Sequence, residues 1–280
     1  MSASTPNVKK APRGPIADSL ATLYARRWLM LYFIQRQLSS NYRKSFLGFL
    51  WIILTPLLMI ALYTLVFSEV VGLRFREAPG VGNFGLYLYC GLIPFLALSE
   101  AINKSVGSIR GNANLVQKVV FPTEILPLST AITGFISSMF GLGVLVILIG
   151  VLERELHWTM ALLPAVMVVQ FVMALGASYL MAVAGAYLPD LKEVTSAIMR
   201  AMFFATPIIW PPELAYQNGL GFLVDYNPLA FLVMSYRDVV LNGQIPGATP
   251  IVWWSLFSAT LVVGGFLLFV LLKKRFPDLI

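Results

Sequence analysis

ILPLSTAITGFISSMFGLGVLVILIGVL, residues 125–152, contains no Asp, Glu, Lys, Arg or His. A helix rising 1.5 Å per residue needs about 20 apolar residues to cross about 30 Å of hydrocarbon. The stretch satisfies both conditions and reads as a membrane span. Within it Thr130, Gly134 and Ser138 recur at four-residue spacing, with Ser137 and Gly141 beside them. Small residues so placed let helix backbones approach closely. That spacing serves a contact inside one subunit as well as a seam between two copies.

Working outward from this run, the same test of length and scarcity of charge marks residues 46–71, 84–106, 158–187, 194–210 and 249–272, which makes six spans. Composition agrees: of 280 residues 58% are hydrophobic and 12% charged, against about 25% charged in ordinary soluble domains. An outer-membrane barrel would alternate apolar and polar residues in segments of about ten, whereas these runs are apolar on all sides. The predicted class is an all-α integral membrane protein whose six-span domain occupies residues 46–280.

With both termini on one face, sixteen of the 20 Lys and Arg fall on that face. They lie in residues 1–45, at Lys104, Arg110 and Lys118, at Lys192 and Arg200, and at Lys273, Lys274 and Arg275. The opposite face takes Arg74, Arg76, Arg154 and Arg237, among seven acids. The positive-inside rule then puts both termini in the cytoplasm. The net charge of +7 is accounted for by this asymmetry, with no nucleic acid as partner.

Residues 1–17, with Pro6, Pro12 and Pro15, are expected to form a disordered cytoplasmic leader. Residues 28–34, WLMLYFI, follow Arg26 and Arg27 but have no small-residue cleavage site behind them, so they read as mature sequence. Residues 18–45 are expected to hold an amphipathic interface helix and a gate segment. Leu20, Leu23, Tyr24, Trp28, Leu31, Ile34 and Leu38 share one arc of a helical wheel. Ser19, Thr22, Arg26 and Arg36 lie off it, Arg27 interrupts it, and Leu29 and Phe33 fall outside it.

Two connections are more than linkers. GNANLVQKVVFPTE, from Gly111, is closed by Pro122 and predicts a one- to two-turn cytoplasmic helix beginning near Asn112. Its Leu115, Val116, Val119 and Val120 are more apolar than a bland connection requires, so the segment reads as a docking surface, the alternative being a solvated turn. Between the fifth and sixth spans Pro207, Pro211, Pro212 and Pro228 divide the chain into short pieces. The 13-residue run 228–240 is too short to cross and reads as re-entrant or interfacial. Short, partly buried helices on the external face are therefore expected over 211–240, the alternative being an interfacial loop with Trp210 and Tyr226 in the aromatic belt.

Reactive chemistry is sparse. His157 is the single histidine and Cys90 the single cysteine, so neither a disulfide within the chain nor a Cys-pair or His-pair metal site is expected. No catalytic residues are assigned. The sequence lacks a GxxxxGK[ST] loop, so any ATP and magnesium must be bound by a separate polypeptide. Glu100 is the one acid well inside a predicted span, with Lys104 at i+4 where an ion pair forms, a thin basis for ion coupling. Aromatics do recur through the membrane depth: Trp51, Tyr63 and Phe67, then Tyr87, Tyr89 and Phe95, then Phe203, Phe204 and Trp210. Most are expected to be packing. A minority are candidates to line a path for sugar, because ring faces stack on pyranose CH groups.

YRKSFLGFLWIILTPLLMIALYTLVF (42–67), with Arg43, Lys44, Ser45, Leu47, Gly48, Leu50, Trp51 and Pro56 at these spacings, resembles the membrane subunit of ABC-type exporters of O-antigen, capsular polysaccharide and teichoic acid. GLIPF (91–95), NKSVGSIRGNANLVQKVVFPTEILPL (103–128) and NPLAFLVMSYRDVVL (227–241) extend the resemblance over most of residues 20–275. It implies a homodimer in the bacterial inner membrane, carrying two copies of a nucleotide-binding ATPase subunit. The substrate implied is a glycan on polyprenyl pyrophosphate, held among membrane lipids. The docking cleft would comprise residues 18–38 and the helix with Asn112, Asn114, Leu115, Val116, Lys118 and Val119, and the pieces over 211–240 would form the external gate. The diphosphate would be admitted at Tyr42, Arg43, Lys44 and Ser45, where Ser45 caps the first span and its amides favour an anion. The plainer alternative is that Arg43 and Lys44 only anchor and orient the span. An exporter of drugs or lipids, an intramembrane glycosyltransferase and a membrane scaffold are the other readings.

Overall fold

The computed structural model describes residues 14–40, 84–118, 121–154 and 156–280, with isolated positions between 54 and 66. Two helices, α1 (Pro15–Ala25) and α2 (Arg27–Ser40), lead the described chain. Then come α3 (Phe84–Val106), a 3-10 turn at Arg110–Asn112 running into the short α4 (Ala113–Val116), and α5 (Ile125–Leu152). A 3-10 turn at Trp158–Leu162 opens α6 (Leu163–Tyr187), and α7 (Leu191–Ala205) follows. Short helices α8 (Pro212–Gln217) and α9 (Phe222–Asp225) precede α10 (Pro228–Val240) and α11 (Ala248–Leu272). A last 3-10 turn leads from α11 to α12 (Phe276–Leu279). No strand occurs among the described residues.

Four of these helices are long and apolar enough to cross a membrane: α3, α5, α6 with its opening turn, and α11 with its continuation. They occupy the second, third, fourth and sixth predicted runs. The first, 46–71, lies outside the described residues apart from isolated positions. The fifth differs: α7 has 15 residues, about 22 Å at 1.5 Å per residue, and the chain turns extended at Thr206, ψ 140°. Pro207 is the cause, since the residue before a proline is driven out of the α region. The expected run 194–210 is thus a shorter helix ended by a break.

In hydrocarbon no hydrophobic force draws helices together, so close backbone contact has to hold them. Glycines provide it. A Cβ on Gly176 of α6 would lie 2.6 Å from the backbone of Leu261 and Val262 of α11, and one on Gly265 of α11 would lie 2.7 Å from the Gly176 carbonyl. A Cβ on Gly185 would sit 2.0 Å from the Val106 carbonyl, which brings the ends of α3 and α6 into direct contact. Gly134, predicted from its spacing, packs on the Ala97 carbonyl of α3 at 2.9 Å from such a Cβ. Its companions stay inside the same subunit: Thr130 Oγ1 lies 2.6 Å from Ser105 Oγ, and Ser138 Oγ accepts from Gln170 Nε2 at 3.4 Å. Thr130 and Gly134 thus pack on the enclosed helix α3 and Ser138 on α6, all within the subunit.

The bundle has two distinct ends. At one, here the terminal end, α1, α2, α4 and α12 gather. Lys273 Nζ donates to Glu124 Oε1 at 2.5 Å and to Ser19 Oγ at 2.8 Å, so α11, the approach to α5 and α1 meet at one buried carboxylate that is 2% exposed. Gln37 Nε2 donates to Ser129 Oγ at 3.0 Å and Phe33 packs on Phe121, fixing α2 to α5.

The N-terminal segment corrects two expectations. Residues 15–17, expected to close the leader, already form the first turn of α1. Pro15 stands at the start of the helix, where a backbone donor would have no intrahelical partner anyway, and Asp18 puts a negative charge at the positive end of the helix dipole. The single apolar arc also divides, because the helix is interrupted at Arg26 (φ −109°, ψ 27°). Leu20, Tyr24, Trp28 and Leu31 face outward, while Phe33 and Ile34 are buried and Leu23 and Leu29 pack beside them. Phe33 and Leu29, which the wheel placed off the arc, thus contribute to the inner face.

The glycine contacts give a direct test. Gly176→Ala forces a methyl into backbone at 2.6 Å and should cost about 1–3 kcal/mol. Gly264→Ala, with open space around it, should stay within about 0.5 kcal/mol of wild type. Thermal unfolding of the two detergent-solubilised variants checks this, with only Gly176→Ala expected to lower the midpoint.

Candidate functional site

At the end opposite the termini, α10 is built by its own sequence. Asn227 caps it, its Oδ1 accepting from Leu229 N at 2.9 Å, and Pro228 takes the first helical position. Nearly every residue from Leu229 to Val240 is buried, so the piece predicted as re-entrant or interfacial is enclosed by protein, against α3 and α6.

Arg237 is the chemical centre of this end. Only 4% exposed, it donates from Nη1 to Tyr87 Oη at 2.9 Å and to the Pro207 carbonyl at 2.5 Å. Nη2 donates to the Ile208 carbonyl at 2.7 Å and Nε to the Tyr87 carbonyl at 3.3 Å, while Cζ lies 3.5 Å from the Tyr87 ring centroid. Gly91 leaves it room, since a Cβ there would lie 2.8 Å from Nη2. One planar guanidinium, with its fixed fork of donors, therefore joins α3, the break after α7, and α10. By its place in the sequence Arg237 counted as a cation of the external face; the structure buries it. An ionisable residue inside a short apolar helix was the signal that could have marked it.

Neighbouring bonds complete the attachment. Tyr236 donates to Gln170 Oε1, and Thr159 Oγ1 donates to the Val239 carbonyl at 2.7 Å. Asn227 Nδ2 donates to Thr206 Oγ1 at 3.0 Å and so closes the base of the segment 207–226. Above that base α8 and α9 are largely exposed, and Tyr226 is 80% exposed. Tyr216 donates to Asp225 Oδ1 at 2.7 Å, and this bond, with a smaller contribution from burial, pushes the Tyr216 hydroxyl up to about 12.

The predicted aromatics separate. Tyr87 and Tyr89 are buried within the protein, Tyr87 under Arg237 and Tyr89 with its hydroxyl donating to the Gly141 carbonyl at 3.3 Å, so neither lines an open face of this chain. Phe203 is half-buried between Phe95 and Phe204, at ring separations of 5.5 and 5.2 Å. Phe204 is 69% exposed, and its carbonyl accepts from Trp210 Nε1 at 2.9 Å. Trp51, Tyr63 and Phe67, like Tyr42, Arg43, Lys44 and Ser45, lie outside the described residues.

At the terminal end the short helix exists where the sequence placed it, over Arg110–Val116. Arg110, read from the sequence only as one cation of that face, positions it by donating from Nε and Nη2 to the Gly185 and Ala186 carbonyls at 3.0 and 2.8 Å. Those carbonyls belong to the last turn of α6, where a cation is favoured. Of the docking candidates, Asn114 and Lys118 are exposed, Asn112 and Leu115 are half-buried, and Val119 lies outside the described residues. Val116 is a correction: it is 4% exposed and packs in the cluster that holds Phe276, so it supports the surface from beneath.

Elsewhere the Glu100–Lys104 pair forms at 2.5 Å as the i+4 spacing predicted. Among the described residues no group of three or more His, Cys, Asp or Glu is placed to hold a metal. The arrangement is one of positioned helices, with donors and acceptors used for attachment at both ends.

Comparison with known proteins fits this arrangement. The chain is 27% identical over 257 residues to an O-antigen export system permease protein RfbA of Myxococcus xanthus, spanning 91% of this chain and 96% of that one. A Klebsiella pneumoniae protein of the same name is 26% identical over 255 residues, covering 90% and 95%. The polysialic acid transport protein KpsM of Escherichia coli is 23% identical over 244 residues, covering 82% and 88%. Residues 29–241, which include α3 to α10 and both attachments described above, match the ABC-2 type transporter family, and the chain belongs to that family.

Proposed function

We propose that this chain is the membrane subunit of an ATP-driven exporter that moves a lipid-linked polysaccharide out of the bacterial cytoplasm, acting as a homodimer with two copies of a separate nucleotide-binding subunit. The observation that carries the reading is the end-to-end similarity to permeases named for O-antigen export, at 90% or more of both chains. The few spans of one chain make a poor conduit for a hydrated polymer, which favours two copies. The absence of a phosphate-binding GxxxxGK[ST] loop from the sequence puts ATP on the partner.

In this reading the terminal end is cytoplasmic by its excess of Lys and Arg, and residues 18–38 of α1 and α2 with the helix at Arg110–Val116 receive the nucleotide-binding subunit. The opposite end is the external gate. There α10 serves as its fixed wall, since Arg237 and Tyr236 hold it on two sides, and the exposed segment with α8 and α9 is the part free to move. Leaving the guanidinium out would strand the Pro207, Ile208 and Tyr87 acceptors at about 1–3 kcal/mol each, so the wall depends on it. Arg43 and Lys44, ahead of the first span, meet the pyrophosphate at headgroup level, where two cations and a helix N-terminus favour an anion.

Two outcomes follow. Reconstituted with its nucleotide-binding subunit in proteoliposomes, the complex should hydrolyse ATP faster when polyprenyl-pyrophosphate-linked glycan is added; stimulation by a drug or a simple lipid but not by the glycan would refute the substrate assignment. Changing Arg43→Gln and Lys44→Gln together should abolish glycan export while membrane insertion and recovery of the nucleotide-binding subunit stay normal, and unchanged export would return those residues to anchoring alone.

A further inference from the structure

The part of the docking cleft that the short helix supplies is small. Between Arg110 and Lys118 only Gly111, Asn114, Gln117 and Lys118 are exposed, whereas a stable protein interface covers about 800 Å² on each partner. What adjoins it is the C-terminal segment. Gln117 Nε2 donates to the Ile280 carbonyl at 2.9 Å, and Val116 and Leu115 pack in one cluster with Phe276, Leu279 and Ile280. Phe276 is fully buried, edge-on to Phe269 of α11 at 5.2 Å.

We propose that residues 274–280 and the helix Arg110–Val116 form one continuous docking surface for the nucleotide-binding subunit. This rests on the reading of the helix as a docking element and extends it to a second segment. A tail that ran along the membrane would turn its phenylalanine and leucine toward lipid. Here those side chains are taken up by the protein, and the exposed residues are Lys274, Arg275, Pro277 and Asp278, beside Asn114, Gln117 and Lys118. That is a polar, cation-rich face suited to a soluble partner whose groove carries acids. The segment is also connected mechanically. Lys273, directly before it, binds Glu124 and Ser19, so movement of the partner against the tail is passed to α11, α5 and α1 together.

The test uses the full chain coexpressed with its nucleotide-binding subunit, carrying the photo-reactive residue p-benzoylphenylalanine in place of Asn114, Asp278 or Tyr216, and irradiated in native membranes. Covalent adducts with the combined mass of the two subunits are expected from positions 114 and 278 and not from 216. An adduct from 114 with none from 278 would overturn the proposal and leave the helix as the docking element. Lipid adducts alone from 278 would overturn it in favour of a membrane-bound tail. No subunit adduct from either position, in a complex that still copurifies, would refute the docking reading itself and this proposal with it.

Discussion

A guanidinium buried among neutral acceptors is the constraint on which the half of this protein away from the termini turns. Arg237 has three chain segments as partners and, among the described residues, no carboxylate within ion-pair distance. Carbonyls freed where the helix breaks at Pro207 supply acceptors that a continuous span would have used internally. The break and the buried charge are therefore one feature: the interrupted backbone solvates the arginine, and the arginine satisfies the interrupted backbone.

The same pairing of polar groups organises the other end. Arg110 occupies the last carbonyls of α6, Lys273 neutralises Glu124, and Gln117 joins the short helix to the chain's last described residue. Between these ends the helices are held by glycine contacts and a few hydroxyl pairs. A bundle so built carries its specific bonds at the two faces where a transporter has to meet partners and release cargo.

Much of this was legible in the sequence where a single physical quantity decides the outcome. Length and charge placed α3, α5, α6 and α11, and the four-residue spacing of Thr130, Gly134 and Ser138 marked a real close approach. Pro122 and Pro228 placed the short helices that precede or follow them. What escaped was pairing at long range. Nothing local tells that Arg237 meets Tyr87, 150 positions away, or that Lys273 meets Glu124. The wheel of the N-terminal segment failed for a related reason: which apolar residues face protein and which face outward is decided by α5, not by the helix itself.

Hydrogen–deuterium exchange of the intact protein in lipid nanodiscs tests the central claim, that Arg237 makes α10 a fixed wall of the end opposite the termini. Amides from Phe231 to Val240 should exchange as slowly as those of α3, while those from Glu213 to Asp225 should exchange much faster. Exchange of α10 as rapid as that of Glu213 to Asp225 would contradict it.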